Sequence, residues 1–148
     1  MPDIVGVIPK VGISQKGVGR MDIVFLVGRI IFGVYFAFNG VMHLTQLKSM
    51  VPYAQSQGVP APRLMVIVSG LLILLGGLSV AVGVYPRIGA LLIIIFLIPV
   101  TFMMHRFWAE KDPMAQQMQM TQFTKNMGLL GAAIMMTAIT EWPLIVID

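Results

Sequence analysis

The chain has 148 residues, of which 57% are hydrophobic and only 11% are charged. A soluble domain has about a quarter of its residues charged, so this composition indicates an integral protein of a lipid bilayer, and we expect no second globular domain. The formal net charge of +4 reflects few acids rather than a cluster of lysine and arginine, which argues against nucleic-acid binding. The chain has no cysteine, which excludes disulfides, thiol redox relays and thiolate metal sites.

The first segment, residues 1–20, mixes valine and isoleucine with glycine, proline and lysine, and shows no sustained helical period. It also lacks the basic start, compact apolar run and cleavage site of a signal peptide. We therefore expect an irregular N-terminal tail at 1–20, followed by one membrane domain at 21–142.

The first predicted span, residues 22–44, is long and apolar enough to cross a bilayer, yet it contains Arg29, Asn39 and His43. A charge inside a span is costly. Two interpretations of Arg29 therefore stay open. Either its side chain snorkels to an interface and sets the topology, or it contacts protein and has a function.

Three more spans are predicted at 63–83, 87–107 and 122–140. Only residues 84–86 separate the second span from the third, which predicts an antiparallel helical hairpin. Pro99 is expected to bend the third span, because proline removes a backbone hydrogen bond from a helix. The loop before the fourth span is the most polar stretch of the chain.

Four spans with short links predict an all-α polytopic membrane protein, an antiparallel four-transmembrane-helix bundle with both termini on one side. Small residues at four-residue spacing predict close helix packing. These pairs are Gly33 with Ala37, Gly77 with Ala81, and Gly128 with Ala132. Lysine and arginine divide almost equally between the two sides, and the first span, which often dominates, favours cytoplasmic termini.

Polar residues converge where the first and third predicted helices end and the fourth begins. The set is Asn39, His43, Thr101, His105, Arg106, Lys125 and Asn126, and it contains both histidines of the chain. Asn39 and His43 lie one helical turn apart on one face. Arg29 shares their stripe but lies about 21 Å from His43 along the axis, which is too far for it to contact the same group.

Two imidazoles with asparagine and lysine suit a quinone head group, because histidine exchanges a proton near neutral pH. The predicted cofactor-binding residues are Arg29, Asn39, His43, His105, Lys125 and Asn126, with an aromatic slot from Phe32, Phe36, Phe102 and Phe107. A plainer interpretation is that polar residues collect at membrane interfaces by default, with Asn39 as a hydrogen bond between helices.

Other chemistries are less well supported by the spacing. Two histidines with nearby methionines could hold Cu(I), but no tight His/Met motif is present. Bis-histidine haem would need both imidazoles at one depth facing inward. No metal is therefore predicted. The absence of a carboxylate inside any span argues against an ion pump, and no nucleophile–base pair indicates a hydrolase.

Several motifs resemble the DoxX family of small four-helix membrane proteins. They run in the same order over about residues 28–133: GRIIFGVYFAFNGVMHL, YAQSQGVPAP, SGLLILLGGLSVAVGVYPRIGALLI, FLIPVTFMMHRFW and DPMAQQMQMTQFTKNMGLLGAA. The resemblance implies an integral protein of a bacterial or archaeal inner membrane, linked with quinone-dependent redox systems and redox homeostasis. It supplies no agreed catalytic residues.

Our leading hypothesis is a quinone-binding or accessory subunit that serves a membrane oxidoreductase partner and could form a homo-oligomer. If the protein is an enzyme, it would be a subunit of a quinone-linked oxidoreductase. A non-catalytic scaffold that recruits a redox enzyme, and a small-molecule or lipid transporter, stay open as alternatives.

Overall fold

The computed structural model of the chain describes residues 19–144 and Ile147. Most of the predicted tail, 1–18, lies outside these residues, and the first helix already begins at Arg20. The described part contains five α-helices, one short 3-10 helix and no strand. The α-helices are α1 (Arg20–Thr45), α2 (Leu47–Ser56), α3 (Pro62–Val82), α4 (Pro86–Met104) and α5 (Pro113–Thr137), and the 3-10 helix is Phe107–Ala109.

Three segments are long and apolar enough to cross a membrane: Arg20–Thr45, Pro62–Val82 and Pro86–Ala109. The prediction of an all-helical protein with several membrane spans is confirmed to this extent. The helix that corresponds to the fourth predicted span, α5, is not among these three segments. It begins well before the predicted residue 122, and its first three turns are rich in glutamine, which lowers its apolar character.

The turn between α3 and α4 uses three special backbone positions. Gly83 ends α3 with a φ of 81°, and Tyr85 precedes α4 with a φ of 47°. Pro86 then occupies the first helical position, where its missing N–H costs little. The predicted hairpin is thus produced by a glycine that tolerates positive φ and a proline that starts the next helix.

Close contact between α1 and α3 depends on glycine. A Cβ atom added to Gly33 would lie 2.5 Å from the carbonyl oxygen of Gly77, and one added to Gly40 would lie 2.6 Å from the backbone nitrogen of Leu74. Lipid tails are as apolar as leucine, so helices in a bilayer associate through close packing rather than through burial from water. These glycines therefore fix the register of α1 against α3. By contrast, Gly128 has open space around it.

The four long helices follow one another around the bundle: α1 packs on α3, α3 on α4, and α4 on α5. Side chains from all four helices form the buried core, whose members are Phe36, Ile73, Val80, Ile93, Leu97, Leu130 and Ala133. Large apolar side chains elsewhere on these helices are exposed, as expected for surfaces that face lipid. Pro99 lies inside α4, which continues to Met104.

The segment after α5 folds back onto the end of the bundle where α3 meets α4. Arg87 donates hydrogen bonds of 2.8 Å to the carbonyl oxygens of both Ile139 and Thr140. The backbone N–H of Tyr85 donates to the carbonyl of Ile147 at 2.8 Å. Ile139, Thr140 and Ile147 therefore lie beside the α3–α4 turn.

Candidate functional site

A cavity of about 120 Å³ lies between α1, α4 and α5. Its lining residues are Tyr35, Phe36, Asn39, His43, Phe96, Leu97, Val100, His105, Lys125, Asn126 and Leu129. An apolar cavity of about 150 Å³ in another protein holds one benzene molecule. The space between these helices therefore has roughly the size of a single aromatic ring.

Five of the six predicted cofactor-binding residues line this one cavity: Asn39, His43, His105, Lys125 and Asn126. They come together because α1 and α4 end at this end of the bundle, while α5 runs back through it in the opposite direction. The structure therefore brings these residues together as the topology predicts. Their role in binding a ligand stays a prediction.

Asn126 has the least satisfied polar side chain of the cavity. The residue is only 6% exposed, and its amide makes no hydrogen bond to any described residue. Neither amide atom is among the fully enclosed polar atoms, so both have accessible surface. A buried amide is costly unless it finds a partner. Asn126 therefore offers a donor and an acceptor to whatever fills the cavity.

Asn39 uses half of its amide within its own helix. Its Nδ2 donates to the carbonyl oxygen of Tyr35, one turn earlier, at 2.7 Å. Its Oδ1 accepts no hydrogen bond from the described residues and is not fully enclosed. The hydrogen bond to another helix that a plainer interpretation predicts is not formed, and Asn39 retains a free acceptor at the cavity.

His43 links α1 to α3 and forms part of the cavity wall. Its Nδ1 lies 3.0 Å from the hydroxyl oxygen of Ser69, and its ring packs edge-on against Phe96 with centroids 5.7 Å apart. Ser69 was not predicted as a functional residue. It is the one polar side chain of α3 at the depth of His43, and the close α1–α3 register could have identified it.

His105 follows α4 directly and is held by α5. Its Nδ1 lies 2.9 Å from Oε1 of Gln119, and Nε2 of Gln119 donates to the hydroxyl of Tyr53 in α2 at 2.9 Å. This chain of contacts joins three helices at the polar end of the bundle. The sequence indicates the two histidines but not Gln119, which lies among several glutamines of similar appearance.

The other polar residues predicted for this end have different surroundings. Lys125 is exposed, and its ammonium donates to Oε1 of Gln122. Arg106 donates to the carbonyl of Gln57 in the loop before α3, at 3.0 Å. Thr101 is fully buried and does not line the cavity, and its hydroxyl has no partner among the described residues.

The aromatic wall differs from the predicted slot. Phe36 lines the cavity as predicted, together with Tyr35 and Phe96. Phe32 instead packs against the core. Phe102 and Phe107 form a separate cluster around Phe123 and Trp108. The side-chain directions at the end of α4, which spacing alone does not give, account for this difference.

A second, larger cavity of about 330 Å³ lies on the other face of α4, against α3 and the loop after α2. Its lining is almost entirely apolar and includes Val66, Leu72, Pro99 and Met103. His43, Phe96 and Val100 line both cavities and so form the wall between them. A ring-sized polar space therefore adjoins a space suited to an alkyl or prenyl chain.

Arg29 lines neither cavity, as its distance from His43 along α1 predicts, and its role in binding a cofactor stays a prediction. The side chain is 3% exposed and lies in the N-terminal half of α1, where Nη1 and Nη2 donate to the carbonyls of Pro143 and Leu144 at 3.2 Å. A Cβ added to Gly83 would lie 2.8 Å from Nη1, so the guanidinium sits at the C-terminal end of α3. That end carries a partial negative charge, which favours a cation there.

Among the described residues, no group of three or more histidine, cysteine, aspartate or glutamate side chains could hold a metal ion. Methionine is not among these four residue types, so the finding does not test the copper alternative. The polar groups around the ring-sized cavity are two amides, two imidazoles and an ammonium, and they suit hydrogen bonding to a small organic group.

The family comparison agrees with the fold. The DoxX family model matches residues 24–106, which run from within α1 to just past α4 and include Arg29, Asn39, His43 and His105. No curated protein and no solved structure matches the chain. Lys125 and Asn126 lie outside the matched range. Because the match extends over more than half of the sequence, the chain belongs to the DoxX family of integral membrane proteins.

Proposed function

We propose that this DoxX family member binds the head group of a quinone or a similar single-ring redox lipid between α1, α4 and α5, as a subunit of a membrane oxidoreductase system. The observation that carries the proposal is Asn126. Its buried amide has no partner among the described residues and borders a ring-sized cavity that both histidines also line. A quinone offers ring oxygens to the N–H groups of Asn126 and Lys125 and a flat face to Phe36 and Phe96.

The adjoining apolar cavity supports the same proposal. A redox lipid needs a polar site for its ring and an apolar path for its chain, and the two cavities share the wall formed by His43 and Phe96. Redox lipids are dissolved in the bilayer, which three apolar helical segments show to be the environment of this protein. The cavity of about 120 Å³ is too small for a haem, whose macrocycle combines four pyrrole rings.

The proposal is tested with protein purified into lipid nanodiscs. We expect a short-chain benzoquinone to bind saturably and the Asn126→Leu variant to bind it about tenfold more weakly, the equivalent of one lost hydrogen bond of about 1.4 kcal/mol. Thr121→Val is the matched control, because it removes an exposed hydroxyl from the same helix and should leave the affinity unchanged. Equal affinity in all three proteins would reject the site.

A scaffold that recruits a redox enzyme without binding a lipid makes a different prediction. Its partner would copurify equally well with the wild-type and Asn126→Leu proteins, and no quinone would bind to either. Retained partner binding in the absence of quinone binding would therefore favour the scaffold.

We also propose that α5 is a fourth membrane crossing, so that the protein is an antiparallel four-helix transmembrane bundle. Gln119 of α5 contacts His105 at one end of α4, and Arg87 contacts Ile139 and Thr140 at the other. The part of α5 from Gln119 to its end at Thr137 is about 27 Å long, close to the roughly 30 Å thickness of the hydrocarbon core. If α4 crosses the bilayer, α5 crosses it too, because contacts at both ends of α4 hold the two segments side by side.

Because the chain has no cysteine, single cysteines report the topology directly. We propose a bacterial or archaeal inner membrane with cytoplasmic termini. In a bacterial host, a membrane-impermeant maleimide should then label Lys111→Cys in intact cells and Glu141→Cys only after lysis. Labelling of both from the same side would reject the fourth crossing, and labelling of Glu141→Cys alone in intact cells would reverse the orientation.

A further inference from the structure

Ser69 contacts both the His43 ring and a backbone carbonyl. Its hydroxyl oxygen lies 2.9 Å from the carbonyl oxygen of Val66 and 3.0 Å from Nδ1 of His43. A carbonyl only accepts, so both contacts are hydrogen bonds at once only where the hydroxyl donates its single hydrogen to Val66 and accepts from Nδ1. In that arrangement Nδ1 carries the hydrogen of neutral His43, and Nε2 has a lone pair.

Gln119 has the same effect on His105. The amide of Gln119 directs its Nε2 to the hydroxyl of Tyr53 at 2.9 Å and its Oε1 to Nδ1 of His105, also at 2.9 Å. In this orientation of the Gln119 amide, Oε1 can only accept, so Nδ1 of His105 donates and Nε2 again has the lone pair. Two different residues, on two different helices, therefore favour the same tautomer in both histidines.

Both lone pairs are available to a ligand. Among the described residues, nothing hydrogen-bonds to Nε2 of either ring, and neither atom is fully enclosed. Both rings line the ring-sized cavity. The residues that line the cavity therefore include two imidazoles with an unused Nε2, next to Asn39, whose Oδ1 is also free to accept.

We infer that Ser69 and Gln119 are positioning residues that make the cavity select the hydroquinone form of the ligand over the quinone form. This inference rests on the proposed function. A hydroquinone hydroxyl both donates and accepts, so it can bond to an imidazole lone pair and to the amide N–H of Asn126 together. A quinone oxygen only accepts, so it meets a lone pair at each imidazole. An acceptor facing an acceptor loses the bond and still bears the cost of desolvation.

The tautomers are measured first, in protein labelled with ¹⁵N-histidine in nanodiscs. The chain has two histidines, so the spectrum is simple, and His105→Ala assigns the signals. We expect Nδ1–H in both rings. Ser69→Ala should shift only His43 toward Nε2–H, and Gln119→Leu should shift only His105. Ser69→Thr and Gln119→Glu retain the acceptor and should restore Nδ1–H.

The affinity ratio is measured next, with one short-chain benzoquinone and its hydroquinone under anaerobic conditions. We expect the hydroquinone to bind at least roughly tenfold more tightly, and this ratio to fall toward one in Ser69→Ala and Gln119→Leu. Ser79→Ala is the matched control. It removes a serine hydroxyl at the opposite end of α3, which bonds to the carbonyls of Val84 and Tyr85, and should leave the ratio unchanged.

Each outcome has one meaning. Equal affinity for the two forms, or tighter binding of the quinone, overturns the selectivity and leaves the proposed quinone site intact. Nε2–H tautomers in the wild-type protein overturn the positioning role of Ser69 and Gln119. Failure of both forms to bind overturns the proposed function and this inference with it.

Discussion

Polar residues lie in both halves of α1, and they differ in how far the protein's own backbone uses their hydrogen-bonding groups. In the N-terminal half, Arg29 is buried and donates to the carbonyls of Pro143 and Leu144, beside the C-terminus of α3. In the C-terminal half, Asn39 and His43 border a cavity and retain acceptors that no described residue uses. Polar groups that hydrogen-bond to the protein's own backbone stabilise the fold, whereas polar groups without a protein partner beside a cavity are available to a ligand.

The largest effect is expected from Arg29→Met, which removes both hydrogen bonds and the charge but retains much of the volume. Two carbonyls of the C-terminal segment lose their donor, and we expect the free energy of unfolding to fall by on the order of 3 kcal/mol. Thermal unfolding in a fixed detergent measures the loss. Arg20→Met is the matched control, because Arg20 is exposed on the same helix and its removal should change little.

Ligand binding separates the two halves of α1 in the same variant. Arg29→Met should bind a short-chain benzoquinone as tightly as the wild-type protein, since Arg29 contacts neither cavity. A selective loss of binding in a variant that remains folded would mean that the arginine acts on the ligand, and the comparison between the two halves would fail.

Gly33→Ala tests the close packing of α1 against α3. The added Cβ would meet the backbone of α3 at Gly77, which cannot move aside as a flexible side chain could. Overpacking of this kind costs about 1–3 kcal/mol. Gly131→Ala is the control, because open space surrounds Gly131 and alanine should stabilise α5 by up to about 1 kcal/mol. Equal unfolding midpoints for the two variants would contradict the proposed packing.

Asn126→Leu, beside the cavity, should retain the stability of the protein and lose ligand affinity, the reverse of what is expected for Arg29→Met. It replaces a buried amide that has no partner among the described residues with an apolar group of similar size, so the stability should hold or rise by up to about 1 kcal/mol. The same variant should lose ligand affinity. Unfolding and binding measured on one preparation give both values. A large fall in stability would assign Asn126 a structural role instead.

The smallest effect is expected from Trp142→Phe, which lies beside the N-terminal half of α1. Trp142 is 5% exposed, its ring packs edge-on against Phe25 with centroids 5.5 Å apart, and its buried Nε1 has no partner among the described residues. Phenylalanine retains the aromatic contact and removes the unpaired N–H. We expect a change of less than about 1 kcal/mol. A fall comparable with that of Arg29→Met would show that the indole N–H has a partner.

The sequence predicts one half of α1 much better than the other. Apolar spans and short links determine which helix ends meet, so the meeting of Asn39, His43 and His105 follows from topology and helical phase. The partner of Arg29 does not follow in this way. It is a stretch of backbone more than a hundred residues later, and it has no side-chain signal.

The contacts of Ser69 with His43 and of Gln119 with His105 could not be predicted from the sequence either. Ser69 reaches His43 only because glycines bring α1 and α3 close in one register, and Gln119 reaches His105 only because α5 begins at Pro113. The start of α5 lies in a polar stretch without an apolar period. Its local signals are an Asp112 side chain that accepts from the backbone N–H of Ala115 and a proline at the first helical position.

Photolabelling tests the ligand site most directly. A short-chain benzoquinone carrying an azide is bound to the protein in nanodiscs, illuminated, and mapped by mass spectrometry. We expect saturable labelling, displaced by unlabelled benzoquinone, on peptides that contain Phe36 to His43 of α1 and Lys125 to Leu129 of α5. Three results would contradict a ligand site between α1, α4 and α5: label confined to lipid-facing surfaces, label around Arg29, or label that unlabelled benzoquinone does not displace.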